Sequence, residues 1–161
     1  HIHKAKGGIY YYFKSKEELF NEVLKQELSG VKSELRYIVD NNDNPLTTLR
    51  AYMLKRLALL NDSLNYQETL KADLFEKYHF VKNVRDDFDD FERNQITIIL
   101  EKGKTDGYLD VKSVSSTVDV IMILINSIEI PLFLQNKYNR YESTIDELIT
   151  LIIDGLRFSR K

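Results

Sequence analysis

The amino-acid sequence predicts an all-α fold, and three observations indicate it. Only two Pro and six Gly occur in 161 residues, and long segments contain neither; both residue types interrupt helices. Apolar residues recur at spacings of three and four, which is the period of a helix with one buried face. Apolar side chains make up 43% of the chain, which is enough to form a core.

The first predicted helices precede a polar break at residues 40–45, a run of Asp and Asn that ends in Pro. A short helix is expected over residues 4–12. Ser15 is a suitable N-cap for a long helix over residues 16–39, because Glu18 follows three residues later and completes a capping box.

Five further helices are predicted after the break. A loop is expected at residues 61–65, Gly103 is a candidate C-cap, and Pro131 is expected to kink the helix that contains it. The predicted helices cover residues 45–60, 66–78, 80–102, 113–137 and 144–158.

The most apolar stretch, residues 118–134, predicts a buried helix and not a membrane span. It contains Asp119, Glu129 and Pro131 and is shorter than the roughly 20 residues that a span requires. The absence of Cys excludes disulfides and thiolate metal sites and fits a protein of the cytoplasm.

The last two predicted helices are apolar over a wide face, which exceeds what one neighbouring helix can cover. A two-fold symmetric homodimer is the default explanation, and cover by the smaller helices is the alternative. The residues expected at the dimer interface are Ile121, Leu124, Ile125, Ile128, Ile149, Ile152, Ile153 and Leu156.

The first sixteen residues are basic, whereas the rest of the chain is acidic. They contain four Lys and no acid, and the remaining residues carry a formal charge of −6, from 19 basic and 25 acidic side chains. A basic end on an acidic body indicates a polyanionic partner such as the phosphate backbone of a nucleic acid.

Residues 6–20 read KGGIYYYFKSKEELF. This segment resembles the end of the helix-turn-helix domain of TetR-type transcriptional regulators, in which a small basic recognition helix ends in an aromatic run and a long helix follows. The resemblance implies that the printed sequence begins within that domain, with two helices expected before His1. It also implies an operator-binding repressor, in which the last two helices of each subunit form a four-helix dimer bundle.

The resemblance implies that particular residues of this segment contact DNA. Lys side chains, tyrosine hydroxyls and backbone close to a glycine are groups that contact phosphates. A solvated basic segment is the alternative. The residues that match DNA-contacting positions are Lys6, Gly8, Tyr10, Tyr11, Tyr12 and Lys16.

The middle helices hold aromatic residues that could line a pocket for a small-molecule effector. Such linings are typical of ligand sites but also of an ordinary core, and spacing alone favours the core. The resemblance implies a pocket between these helices without identifying its lining. The candidate lining residues are Tyr52, Met53, Tyr66, Phe75, Tyr78, Phe88 and Phe91.

Other classes of function have weaker support. Residues 86–90 match the DDxxD pattern with which magnesium-dependent isoprenoid synthases bind diphosphate, but no second acidic motif accompanies it. No P-loop, Rossmann or zinc spacing appears, so no cofactor or metal is expected and the chain is not expected to be an enzyme. A helical interaction module without a DNA role stays an alternative. The expected domains are a partial DNA-binding domain, 1–44, and an effector-binding and dimerisation domain, 45–161.

Overall fold

The structure is a computed structural model that describes the backbone of residues 12–75 and 79–157, with side chains for residues 12–71 and 80–157. The predicted all-α class is confirmed. Between residues 12–75 and 79–157 the only β pairing is an isolated bridge of Leu109 and Arg157. The helices are α1 (Lys16–Asp40), α2 (Pro45–Asp62), α3 (Leu64–Phe75), a 3₁₀ turn (His79–Val81), α4 (Lys82–Thr105), α5 (Val114–Glu129), a π-helical turn (Ile130–Leu134) and α6 (Glu142–Leu156).

The predicted start of the long helix α1 is confirmed. The Ser15 hydroxyl accepts a hydrogen bond from the backbone N–H of Glu18 at 3.1 Å. The Glu18 carboxylate accepts from the backbone N–H of Lys14 at 2.5 Å, one residue before the position that a capping box uses. The helix start is therefore fixed by side chains on both sides of the cap.

Two predicted connections differ in the structure. The predicted loop at residues 61–65 is wrong, since Ser63 alone separates α2 from α3. Gly103 is not the C-cap of α4, which continues to Thr105. The left-handed residue is Gly107, with φ of 75°. Gly103 is instead a packing residue, because a Cβ there would lie 2.4 Å from Cδ1 of Leu109.

The kink expected at Pro131 takes the form of the π-helical turn after α5. Proline has no backbone N–H, so the regular hydrogen-bond ladder cannot continue through it, and one wider turn accommodates the change. The turn brings Leu132 and Phe133 into the core.

Residues Val114–Leu134 form a helical stretch of 21 residues that is long and apolar enough to cross a membrane by length and composition. The apolar stretch at residues 118–134 is thus part of a longer helical stretch that begins four residues earlier. Core helices of soluble proteins pass the same criterion. In this structure the stretch packs against α4 and contributes Ile121 and Ile125 to the core.

Helices α2 and α4 form the centre of the bundle. Helix α1 lies along both of them and along α3, while α5 packs on α4 and α6 packs on α2. The side chains of α1 that enter the common core are Leu24, Leu28, Val31 and Leu35. The expected domain division at residue 44 stays a prediction, and α1 is packed against the helices that follow it.

A buried charged cluster and a basic N-terminal segment

The centre of the bundle contains a fully buried arginine. Arg56 lies on α2 among buried apolar residues and has no exposed side-chain surface. Its Nε donates to Oε1 of Glu92 on α4 at 2.5 Å, and its Nη2 donates to Oε2 of Glu92 at 2.9 Å. Nη2 also donates to Oε1 of Glu129 at the end of α5, at 2.6 Å. One guanidinium therefore holds two buried carboxylates on two different helices.

Two tyrosines complete the group. The Tyr66 hydroxyl on α3 lies 2.9 Å and 3.0 Å from the two carboxylate oxygens of Glu129, to which it donates. The Tyr52 hydroxyl on α2 lies 3.4 Å from Oε1 of Glu92. Arg56, Glu92, Glu129, Tyr52 and Tyr66 are called the Arg56 cluster below. The Arg56 cluster connects four helices, α2 to α5, through polar contacts in the interior.

Burial and charged neighbours shift the pKa values of Glu92, Tyr66 and Arg56. Loss of solvent raises the pKa of Glu92, and Arg56 offsets this only in part. Burial also raises the pKa of Tyr66 well above its ordinary value, and the Glu129 carboxylate adds to the shift, so the phenol keeps its proton as a donor. Burial opposes the charge of Arg56, but Glu92 and Glu129 outweigh it and raise the pKa of Arg56 further.

Two buried polar atoms at this level of the bundle have no hydrogen-bond partner within the described part of the chain. They are Nη1 of Arg56 and Oε1 of Gln95. Gln95 follows Glu92 by three residues on α4, so both side chains project from one face of the helix. Unpaired buried polar atoms are rare in proteins, and each requires an explanation such as a bound water or ligand.

An aromatic row leads from the Arg56 cluster to helix α1. The rings of Tyr66 and Phe88 meet edge to face with centroids 5.9 Å apart, and Phe88 stacks on Phe91 at 6.4 Å. The outer face of Phe91 is covered by two cations of α1, Lys32 at 5.5 Å and Arg36 at 5.4 Å from the ring centroid. The row therefore joins the interior of the bundle to the long first helix.

Five of the seven predicted lining residues fall in the region of known side chains, and four of these are fully buried: Tyr52, Met53, Tyr66 and Phe88. Phe91 is half-buried and faces α1. The side chains of Phe75 and Tyr78 lie outside the described residues.

Sequence reasoning missed Arg56, Glu92 and Glu129 as members of a site. The available signal was a charged residue at a position where the helical period requires an apolar one. Glu129 interrupts the most apolar stretch of the chain, and Arg56 lies between Met53 and Leu57 on the buried face of α2.

The predicted DNA-contacting residues lie near the N-terminus, away in sequence from the Arg56 cluster. Lys6, Gly8, Tyr10 and Tyr11 are outside the described residues. Tyr12 is 77% exposed. Lys16 is exposed and occupies the first turn of α1, directly after the Ser15 cap.

The N-terminal end of the chain resembles known proteins in sequence. Residues 1–23 match the family model described as bacterial regulatory proteins, tetR family. The N-terminal end of the chain therefore resembles the TetR family in sequence. No curated protein matches the chain in sequence.

Two solved structures share the fold of this chain. One is a Clostridium perfringens protein described as a candidate regulator of fatty acid metabolism, 23% identical, with a TM-score of 0.72 over 96% of this chain and 84% of that chain. The other is Escherichia coli NemR in its reduced form, 19% identical, with a TM-score of 0.73 over 97% of this chain and 82% of that chain. At these identities the likeness shows the fold.

The family model that matches residues 1–23 describes regulatory proteins and gives no support to a magnesium-dependent enzyme. The acidic run that suggested a magnesium enzyme is engaged with lysines: Asp86 pairs with Lys82 at 2.7 Å, and Asp87 pairs with Lys32 of α1. Among the described residues, no group of three or more His, Asp or Glu is arranged to hold a metal ion. The run therefore connects α4 to α1 and covers the surface of α4.

The apolar face of α5 and α6 divides into an inner and an outer half. Ile121, Ile125, Ile149 and Ile153 are buried within the subunit and have almost no surface left for a partner. The other predicted interface residues are half-buried, namely Leu124, Ile128, Ile152 and Leu156. Beside them lie three large side chains that are mostly exposed: Val120 at 55%, Ile123 at 64% and Leu151 at 62%. A groove of about 340 Å³ follows the junction between the end of α5 and the start of α6.

Proposed function

We propose that this chain is a TetR-type regulator: a cytoplasmic DNA-binding transcriptional repressor that a small-molecule effector releases from its operator. The observation that carries the proposal is the continuity of α1. This helix begins beside the basic N-terminal segment and then packs along the body for its whole length, so a change in the body can alter the position of the segment.

DNA contact is assigned to the N-terminal segment. It contains Lys6, Gly8, the three tyrosines Tyr10 to Tyr12, and Lys16. The positive charge of this segment and its match to the family model support the assignment. The exposed position of Lys16 at the N-terminus of α1 adds support, because helix N-termini and lysines both attract phosphate.

The effector is assigned to the Arg56 cluster and the aromatic row beside it. The cluster combines apolar and aromatic neighbours with a few directed polar groups, which is the composition of small-molecule sites. It also lies at the contact point of four helices, so a ligand there can change how they pack. The contact of Phe91 with Lys32 and Arg36 gives such a change a direct route to α1.

Release requires that the effector bind one state of the repressor more tightly than the other. In the DNA-bound state, the two segments of a dimer are spaced to enter successive major grooves. We infer that the effector favours a packing of α1 against α4 that changes the spacing of the two segments. The largest loss of operator affinity is then the ratio of the effector's affinities for the free and the DNA-bound state.

Dimerisation is assigned to the outer half of the α5 and α6 face. On α5, Val120, Ile123 and Leu124 lie on one side of the helix, and α6 adds the exposed Leu151 and the half-buried Ile152. A two-fold axis across this face would bury both stripes against their copies and form a four-helix bundle. A dimer is needed for the proposed mechanism, because the spacing between two segments is what the effector controls.

The test is fluorescence anisotropy of the full-length protein on DNA from its own upstream region, titrated with salt. Each phosphate contact contributes close to one unit to the slope of log affinity against log salt. Lys6→Ala and Lys16→Ala should each weaken binding and reduce that slope by about one.

The matched control is Lys104→Ala, an exposed lysine at the far end of α4, which should leave the slope unchanged. If Lys6→Ala and Lys16→Ala also leave the slope unchanged, as Lys104→Ala is expected to do, the assignment of the segment to phosphate contact is wrong.

A further inference from the structure

The charges around the Arg56 cluster do not balance. Glu92 and Glu129 are buried with a single guanidinium between them. Extending the count to the half-buried Asp89 and Arg85 on α4 adds one charge of each sign, so the surplus of one negative charge stays. A net charge in a dry interior is costly, and proteins neutralise it with a proton or a counter-ion.

The hydrogen-bonding groups leave one acceptor and one donor unpaired. All four carboxylate oxygens of Glu92 and Glu129 already accept from Arg56 or from the two tyrosine hydroxyls. Among the described residues of α2 and α4, the buried side-chain atoms without a partner are Oε1 of Gln95 and Nη1 of Arg56. A ligand whose N–H group donates to Gln95 and whose oxygen accepts from Arg56 would satisfy both atoms.

The ring faces beside the carboxylates also suit a cation. Arg85 already lies over the ring of Tyr66, 5.9 Å from its centroid, and Phe88 meets the same ring edge to face. Aromatic faces attract cations, and the attraction strengthens away from water. An anion would meet the surplus carboxylates instead and would gain a single donor from Arg56.

We propose that the effector carries a protonated nitrogen that pairs with the carboxylates of Glu92 and Glu129 beside the rings of Tyr66 and Phe88. Such a molecule belongs to the arylalkylamines. Its apolar part lies along the aromatic side chains. An oxygen close to the nitrogen accepts from Nη1 of Arg56. The inference rests on the proposed function, because it specifies the chemistry of the same effector site.

The proposal predicts a charge preference that can be measured with matched probes. Phenylbutylamine, phenylbutanol and phenylbutyrate share a phenylalkyl body and carry a cationic, a neutral and an anionic head group. Naphthyl analogues extend the set to a larger body. Calorimetry on the full-length protein should show the amine binding about tenfold or more tightly than the alcohol, with the carboxylate weakest.

Variants test whether the preference for amines depends on the carboxylate of Glu129. Glu129→Gln should reduce amine affinity about tenfold while leaving the alcohol unchanged, because a neutral side chain of the same shape replaces the charge. Glu147→Gln is the control, since Glu147 is an exposed carboxylate on α6. Helical circular dichroism verifies that each variant is folded.

A second measurement uses the unmodified protein and is independent of variant folding. Because burial raises the pKa of Glu92, the empty cluster holds more proton than free glutamate does. Amine binding should displace that proton at mildly acidic pH, and calorimetry in two buffers of different ionisation enthalpy should detect proton release for the amine and none for the alcohol.

The proposal is overturned if the alcohols bind as tightly as the amines in every pair, if the carboxylates bind most tightly, or if Glu129→Gln leaves the amine preference intact. None of these results affects operator binding without a probe. A failure of the effector chemistry is therefore separable from a failure of the regulator assignment, which the salt titration tests.

Discussion

Replacing Arg56 with methionine should strongly destabilise the fold. Methionine has a similar length and no charge, so it fills the space of Arg56 and removes the partner of two carboxylates. Glu92 and Glu129 would then be buried without a counter-ion. Breaking a buried ion pair on one side costs about 3–5 kcal/mol. In a protein of this size that loss lowers the melting temperature by roughly 6–20 °C.

The assay is thermal and urea unfolding followed by circular dichroism, at one protein concentration because a dimer's stability depends on it. Arg50→Met is the matched control, since Arg50 on α2 pairs with Asp146 of α6 in a half-exposed position. An exposed pair contributes up to about 1 kcal/mol. If Arg56→Met costs no more than Arg50→Met, the buried cluster is not a charged network. Adding Glu92→Gln to Arg56→Met should restore part of the stability, because it removes one unpaired charge.

The remaining predictions concern pH, packing and assembly. The raised pKa of Glu92 means that the folded protein holds this proton more tightly than the unfolded chain, so its stabilising contribution is complete below the ordinary value of 4.5 and is lost as pH rises through the raised pKa. In Glu92→Gln, the free energy of unfolding measured in urea should depend less on pH between 4.5 and the raised pKa of Glu92. Gly103→Ala should cost about 1–3 kcal/mol because its Cβ meets a packed side chain, whereas Gly30→Ala, in open space on α1, should stabilise by about 0.5–1 kcal/mol. Ile123→Asp or Leu151→Asp should convert the proposed dimer to monomer in light scattering with helix content unchanged; a dimer that survives both would place the interface elsewhere.

The sequence predicted most of the helices because their determinants are local. The Ser15 cap, the polar break before Pro45 and the apolar stripes each act within a few residues. The misassigned positions depend on contacts distant in sequence. Gly103 resembles a C-cap, but the space it leaves is filled by Leu109, and α4 continues past it.

The candidate site was only partly predictable. Aromatic residues of the middle helices were expected inside, and four of them are buried. The charges were not expected, because Arg56, Glu92 and Glu129 come from three helices whose convergence is a property of the bundle. The helical period likewise gave the apolar stripes of α5 and α6, but it cannot distinguish the half that faces the subunit's own core from the half that is exposed.

The most direct test of the central claim is competition binding of the full-length protein to its own upstream DNA. Labelled upstream DNA is bound in fluorescence anisotropy and is then challenged with an excess of unlabelled upstream DNA or of unrelated DNA of equal length. A specific regulator binds its site about a thousandfold or more tightly than other sequences, so only the upstream competitor should displace the complex. Equal displacement by both competitors would mean that the basic segment is a charged surface, and it would contradict the assignment of this chain as an operator-binding repressor.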